Sequence, residues 1–243
     1  MRLDLCTWPE VEAYLADNNG ILLPVGSTEQ HGPMGLIGTD AICAEAIAVG
    51  VATLAEALVA PTLAYTPAPF NTGFPGTVSV SIATFGAFAR EVVTGLHSQG
   101  FHRIYILNGH GANLAPLRAV AEDFPKGATR IRSWWDFTPV NTLRAEYYGD
   151  WEGMHATPSE VAITQALHRI APPGKAAKPP RKLDAAYIAA HSGDRHGPPD
   201  AHRHDFPDGR VGSHSALARP EHGRALLRAA IEAVAQDFKD FVS

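Results

Sequence analysis

The chain has 243 residues, an apolar content of 45%, a charged content of 19% and a formal net charge of −5. These values suit one large globular domain, and the absence of a basic block argues against a nucleic-acid groove. No apolar run approaches the roughly 20 residues that a membrane span needs. Two cysteines are too few for a disulfide framework, and the acidic start is unlike a signal peptide, so we expect a cytoplasmic protein.

The hydrophobic pattern predicts alternating helices and strands. A capping-box pattern that begins at Thr7 predicts a helix to about Asp17. The strands that follow are predicted at residues 21–25, 57–63, 103–107 and 129–137, with helices between them at residues 41–57, 81–98 and 113–123. This alternation predicts an α/β fold in one domain, residues 1–243, with a mostly parallel sheet and helices on both faces.

The second half of the chain is less regular. The aromatic segment 140–153 shows no clear period, and we expect it to be irregular. Thr157 and Glu160 fit a second capping box, which predicts a helix to about Ile170, and the Pro- and Gly-rich residues 171–212 predict surface loops. A final helix is predicted from Pro220 to Phe241. Its large apolar side chains predict one stripe that faces the core: Leu227, Ile231, Val234, Phe238 and Phe241.

Metal-ligand side chains follow two of the predicted strands. Glu29 and His31 are two residues apart, so in an extended segment they point to the same side, and Asp40 follows a Gly- and Pro-rich loop. His110 lies between two glycines at the end of strand 103–107. Each stretch alone is also explained as a polar turn. Together they stand where open α/β sheets build their sites, at the carboxyl ends of the strands.

The chemistry of these four side chains indicates a metal centre. Carboxylate oxygens and imidazole nitrogens form a mixed set that suits Zn, Mn or Fe(II), and four such residues could hold two ions roughly 3.5–4 Å apart. Two metal ions at this distance lower the pKa of bound water and polarise a carbonyl group. The sequence therefore predicts hydrolysis of an amide-type bond.

Three motifs resemble the creatininase (creatinine amidohydrolase) family: GSTEQHGP with GTD from residue 26, NGHGAN from residue 108, and MHATPSE from residue 154. The resemblance extends from about Thr7 to Phe241. It implies a three-layer αβα sandwich, two divalent metal ions (Zn, Mn or Fe) and hydrolysis of a C–N bond in a small cyclic or formylated amide substrate. It also implies a homo-oligomer, often a hexamer.

The resemblance assigns roles to individual residues. It implies that the metal ligands are Glu29, His31, Asp40 and His110. His155 matches a catalytic histidine that passes a proton to the leaving nitrogen, and Glu160 matches an acid of the site. Because a capping box also requires a glutamate at position 160, both interpretations of Glu160 stay open.

Two tryptophans match the aromatic walls of a substrate pocket. They are Trp135 and Trp151, whose indole rings can sandwich a flat amide, whereas Trp134 is equally well explained as a core residue.

Two positions depart from creatininase itself. Ala112 stands where creatininase has a glutamate ligand, and Met154 stands where it has an acid beside the catalytic histidine. The first change leaves the second metal ion one ligand short, and we expect Glu160 or a water molecule to complete it. Three functions stay open: an amidohydrolase, a peptidase that trims a cofactor precursor, and a non-catalytic metal-binding assembly protein.

A histidine-rich segment precedes the last helix and contains His191, His196, His202 and His204. Their spacing fits neither a helical metal site nor a zinc knuckle. We expect a solvated loop that covers the pocket or reaches a neighbouring subunit.

Overall fold

The computed structural model describes residues 1–193 and 195–243. Its sheet has four strands in the order β2-β1-β3-β4, and all neighbouring pairs are parallel. The strands are β1 Gly20–Val25, β2 Leu58–Val59, β3 Arg103–Asn108 and β4 Thr129–Ser133. The α-helices of the described residues are α1 Trp8–Asp17, α2 Thr39–Ala55, α3 Ile82–Ser98, α4 Leu114–Ala121, α5 Thr138–Tyr148, α6 Pro158–Leu167, α7 Ala185–His191, α8 Pro199–Asp205 and α9 Pro220–Val242.

Both faces of the sheet are buried. Successive side chains of β1 alternate between two core clusters, with Ile21 and Leu23 in one and Leu22 in the other. Helices α1, α3 and α4 pack on the first face, and α2, α5, α6 and α9 pack on the second. The predicted α/β sandwich is confirmed. No helix in the described part of the chain is both long and apolar enough to span a membrane.

Two predicted strands are shorter than expected. The segment 57–63 pairs with β1 only at Leu58 and Val59, and Leu63 adds a single bridge to Val25. Pro61, which has no N–H group, interrupts the ladder between them. The other predicted strand ends at Ser133 because the chain turns there: the amide of Asp136 donates to the carbonyl of Ser133.

Two segments are more regular than expected. The predicted irregular segment 140–153 forms α5 and a 3-10 turn at Gly149–Trp151. Val140 and Tyr148 are eight residues apart, so they lie on one face of α5, and both are buried. The predicted loops 171–212 contain α7 and α8, and the Asp184 side chain starts α7 by accepting a hydrogen bond from the amide of Tyr187 at 2.7 Å.

The buried stripe of α9 differs in its first half from the prediction. Val234, Phe238 and Phe241 are buried as expected, but Leu226 and Ala230 take the core positions predicted for Leu227 and Ile231, which are only partly buried. The cause is a close approach between α9 and α6. A Cβ atom at Gly223 of α9 would overlap the carbonyl oxygen of Ala162 in α6. Small residues therefore set the rotation of this helix.

The histidine-rich segment packs on the long loop 66–79 through Phe70. The ring centroid of Phe70 lies 4.7 Å from that of His196 and 5.0 Å from that of His202. His202 is only 3% exposed, so the expectation of a solvated loop is wrong for this residue. Burial lowers the pKa of both histidines to about 4, because the charged ring loses its hydration.

The contact between α9 and α6 predicts an unusual response to alanine. Replacing a helical glycine normally stabilises a helix by up to about 1 kcal/mol. Gly223→Ala should instead lower the free energy of unfolding by about 1–3 kcal/mol, because the added methyl group forces α9 away from α6. Urea unfolding measures the difference. Gly95→Ala in α3 is the matched control, since a Cβ atom there meets nothing within 4 Å; equal effects of both changes would contradict the proposed close contact.

The buried histidines predict that the segment 185–206 loosens in acid. Their folded-state pKa lies below the unfolded value of about 6.5, so their contribution to stability is present above pH 6.5 and is lost as the pH falls towards 4. Hydrogen-exchange protection of this segment, relative to the sheet, should fall over that range. His202→Phe keeps an aromatic contact with Phe70 and should weaken the pH dependence, whereas His204→Phe at an exposed position should not. Identical profiles for both variants would count against this explanation.

Candidate metal centre

The carboxyl ends of β1 and β3 are level, because Val25 pairs with Asn108. The next residues, Gly26 and Gly109, both lie against the start of α2. A Cβ atom at either glycine would overlap the backbone at Asp40 or Ala41, so only glycine permits this approach. The loops after both strands and the first turn of α2 are thereby brought to one place.

Six buried residues meet at this place, and none is more than 8% exposed. They are Glu29, His31, Asp40, His110, His155 and Glu160. The four residues expected to bind metal are thus brought together, and the two expected catalytic residues join them. The six residues form three overlapping groups of three, because some residues belong to two groups. Within each group the potential ligand atoms lie within 4.8 Å of one another.

Asp40 belongs to two of these groups. Its Oδ1 lies 2.9 Å from Nε2 of His31, and its Oδ2 lies 3.2 Å from Nδ1 of His110. Glu29 completes the group that contains His110, and Glu160 completes the group that contains His31. Asp40 is therefore the residue that both groups would share if each of them held an ion.

Each of the three histidines in the cluster contacts a backbone carbonyl with one ring nitrogen. The distances are 3.1 Å from Nδ1 of His31 to the Glu29 oxygen, 2.8 Å from Nε2 of His110 to the Pro67 oxygen, and 2.7 Å from Nε2 of His155 to the Gln30 oxygen. A carbonyl can only accept, so in a neutral ring this nitrogen carries the proton. The lone pair of the other nitrogen then faces the carboxylates, as a metal-bound histidine requires.

Unsatisfied carboxylate oxygens support metal binding. Within the described residues, both side-chain oxygens of Glu29 and Oδ2 of Asp40 make no hydrogen bond of ordinary geometry, although Glu29 is fully buried. Their cationic neighbour is His110, whose Nδ1 lies 3.3 Å from Oε1 of Glu29. Buried carboxylates without hydrogen bonds are costly. The donor set of oxygens and imidazole nitrogens fits Zn, Mn or Fe(II), which would satisfy these atoms.

Two of the three histidines, His31 and His110, have raised pKa values and provide positive charge to the cluster, because carboxylates surround them. Burial alone would lower the pKa of His31, but the carboxylates of Asp40, Glu160 and Glu29 outweigh it and raise the pKa to about 10. Burial, together with the charge on His31, lowers the pKa of His155 to about 3. A metal ion that binds His31 must therefore displace a proton.

Glu160 is both a helix cap and a member of the buried cluster. Its Oε1 accepts a hydrogen bond from the amide of Thr157 at 2.6 Å, which completes the capping box of α6. The same oxygen lies 3.8 Å from Nε2 of His31. Burial raises the pKa of Glu160 to about 7, partly opposed by His31. Helix cap and member of the cluster are therefore compatible descriptions of this residue.

A cavity of about 190 Å³ opens onto the cluster. Its wall contains Trp135, as expected, whereas Trp151 is not among the described residues that line it. Trp151 instead packs against His214 and Lys182, with a ring-centroid distance of 5.7 Å to His214. Ile188 of α7 and the first residues of the histidine-rich segment, Ser192 and Gly193, also line the cavity. That this segment covers the pocket or reaches a neighbouring subunit remains a prediction.

Sequence reasoning missed three residues near the cluster. Arg144 lines the cavity, and the side-chain amides of Gln30 and Asn71 lie 3.0 and 3.2 Å from Nε2 of His155. Arg144 stands four residues after Val140 on α5. A search for helical spacing within the segment 140–153 would have found this position.

Comparison with known proteins gives matches over most of the chain. The family model named Creatininase, described as creatinine amidohydrolase, matches residues 4–238. A creatinine amidohydrolase of Pseudomonas putida is 30% identical over 184 residues, which are 67% of this chain and 70% of that protein. A mycofactocin precursor peptide peptidase of Mycolicibacterium smegmatis is 40% identical over 105 residues, 41% of this chain and 42% of that protein.

Solved structures show the same fold. A creatinine amidohydrolase (creatininase) crystal structure has a TM-score of 0.78 at 22% identity and covers 99% of this chain and 97% of that chain. A creatininase structure with Mn in its name has a TM-score of 0.75 at 22% identity, covering 99% and 98%. The family model matches residues 4–238, and the Pseudomonas putida relative is 30% identical over 67% of this chain and 70% of its own length. The chain therefore belongs to the creatininase family of hydrolases.

Proposed function

We propose that this chain is a divalent-metal-dependent amidohydrolase that cleaves a C–N bond of a small cyclic or formylated amide. The observation that carries the proposal is the buried cluster in which Asp40 is shared by two ligand groups. The adjoining cavity of about 190 Å³ is smaller than the roughly 300–1,000 Å³ of sites for drug-sized ligands, which favours a small substrate. Membership of a family that contains a creatinine amidohydrolase supports the reaction type.

Two sets of side chains would hold two ions, Zn, Mn or Fe. The first set is Glu29, Asp40 and His110, and the second is His31, Asp40 and Glu160. A bound pair of divalent ions polarises a carbonyl group and lowers the pKa of water towards neutrality. Glu160 then supplies the ligand that Ala112 does not provide.

His155 would transfer the proton to the leaving nitrogen. Its Nε2 is occupied by the carbonyl of Gln30, so Nδ1, 3.5 Å from Oε1 of Glu29, is the atom that gains and loses the proton. Burial keeps the ring neutral, which leaves this nitrogen able to accept. Trp135 would form a flat wall beside the substrate amide. The assignment of substrate contact to Trp151 remains a prediction.

A peptidase is the second candidate, favoured by the 40% identity to the mycofactocin precursor peptide peptidase. A substrate panel of creatinine, formamides, lactams and short peptides separates the two. Metal binding without turnover of any of these would instead favour a non-catalytic assembly protein. The homo-oligomeric state, expected to be a hexamer, and the cytoplasmic location are likewise proposals that rest on the sequence.

Glu160→Gln tests the second ligand set. Glutamine still accepts the capping hydrogen bond but loses the charge, so bound Mn or Zn should fall from about two ions per chain to about one. Turnover on the best substrate of the panel should fall with it. Metal content measured after gel filtration checks the first result. Glu10→Gln is a matched control, because Glu10 also accepts a capping hydrogen bond at 2.6 Å, from Thr7, but is exposed. If Glu160→Gln kept both ions and full turnover, Glu160 would be only a cap.

His155→Gln tests the proton transfer. The variant should keep its metal content and lose about 10²- to 10⁴-fold in kcat, the usual contribution of general acid–base catalysis. Metal content and steady-state kinetics are measured on the same preparation. Loss of a metal ion from the variant would show that His155 is a ligand, as its group with Glu29 and His31 allows.

A further inference from the structure

Arg144 has no part in the function proposed above, yet it lines the cavity with the ligand cluster. It comes from α5, and its guanidinium carbon lies 6.0 Å from the ring centroid of Trp134. Its side chain is 20% exposed. Among the described residues of the cavity wall, it is the only Lys or Arg. A guanidinium that is largely removed from water beside an indole requires a compensating partner.

The contacts of Arg144 hold its side chain in place and leave some of its N–H donors without a hydrogen-bond acceptor. Its Nε donates to Oε1 of Glu152 at 2.9 Å, and its Nη1 donates to Oδ1 of Asn141 at 2.8 Å. Within the described chain, Nη2 donates to no protein group. A guanidinium has five N–H donors, so about three remain for a ligand. An arginine fixed in this way loses little side-chain entropy when it binds a planar carboxylate with two parallel hydrogen bonds.

Glu152 and its neighbours connect Arg144 to the ligand cluster. Glu152 also accepts a hydrogen bond from the hydroxyl of Ser159, which precedes Glu160. The ion pair therefore joins the start of α6 to α5, and a purely structural brace would need only this contact. A brace does not require the arginine to line a cavity whose lining also contains Asp40 and His110. The position in the cavity wall is what indicates a ligand.

The rest of the cavity limits the ligand. Apolar surface from Trp135, Met154 and Ile188 belongs to the same wall, and the volume of about 190 Å³ equals that of about six water molecules. A phosphate dianion would need more cationic groups than one arginine that is already paired with Glu152. A singly charged carboxylate matches the unused donors.

We propose that Arg144 binds a free carboxylate of the substrate, and that the substrate class is small N-formyl or N-acyl amino acids. The carboxylate lies at Arg144, the short carbon chain lies along Trp135, and the scissile amide lies at the ligand cluster. The inference rests on the proposed amidohydrolase function and adds the part of the substrate that the enzyme selects.

The test compares acids with their neutral amides. The metal-loaded full-length enzyme is given N-formylglycine, N-formyl-β-alanine and N-formyl-4-aminobutanoate, each beside its carboxamide, and formate release is measured. The best acid should exceed its carboxamide in kcat/KM by about 10- to 100-fold, the range for a hydrogen bond to a charged group. Arg144→Gln should remove this advantage, because it lowers kcat/KM for the acid by more than kcat/KM for the carboxamide.

Two further variants separate selection from folding. The double variant Arg144→Gln/Glu152→Gln removes both charges, so that no carboxylate is left unpaired. It should lose the preference for acids to the same extent and keep a normal metal content. Arg130→Gln breaks a comparable half-buried pair, in which Nη1 lies 3.1 Å from Oδ1 of Asp237, and Arg130 does not line the cavity. This control should keep the preference for acids. Equal loss for acids and carboxamides in the Arg144 variants would show that Arg144 is only a brace.

A binding measurement distinguishes failure of this inference from failure of the proposed function. In metal-free protein, nuclear magnetic resonance titration should show that pentanoate binds several-fold more tightly than pentanamide, and that Arg144→Gln abolishes the difference. No turnover of any formamide, lactam or creatinine, together with this binding difference, would overturn the amidohydrolase function and keep the carboxylate site. Turnover without preference for acids, and without the binding difference, would overturn the carboxylate site alone.

Discussion

The site depends on the contact between the start of α2 and the ends of β1 and β3. Gly26 and Gly109 allow the backbone of Asp40 to lie closer to these strands than any side chain would permit. The contact places one carboxylate between the histidine that follows β1 and the histidine that follows β3. Without it, His31 and His110 would belong to separate loops. The glycines of the two motifs are therefore as important for the metal centre as its ligands.

Backbone carbonyls then convert a group of side chains into an oriented ligand set. Each of the three histidines in the cluster has one ring nitrogen at 2.7–3.1 Å from a carbonyl oxygen, so the second ring nitrogen is directed at the carboxylates. Two of these carbonyls, of Glu29 and Gln30, come from the same short loop that supplies His31. The third, of Pro67, comes from the long loop 66–79. Local backbone geometry in two loops thus determines which atom of each ring is available.

The sequence predicted the parts of the fold and site that depend on local pattern. Glu29, His31 and His110 could be grouped because parallel strands end at a common edge, and His155 joined them only through the family resemblance. The helix α5 and its Arg144 were missed, because Pro139 and the polar residues around it obscured the helical spacing. The rotation of α9 was missed for another reason: Gly223 has no side chain and Ala230 has only a methyl group, and a search for large apolar residues does not detect contacts that depend on small size.

The charges at the ligand cluster and at Arg144 determine which substrate groups the cavity can accept. Three carboxylates, those of Glu29, Asp40 and Glu160, would leave two divalent ions with an excess positive charge while the histidines stay neutral. Arg144, which also lines the cavity, is paired with Glu152, but part of its guanidinium keeps unused N–H donors. Neither the ions nor the Arg144–Glu152 pair would then give the cavity an excess of negative charge, although the chain as a whole carries a formal charge of −5. A neutral amide at the ions and an anion at the arginine is the combination that this distribution accommodates best, since an ammonium group would face unfavourable charge at either end.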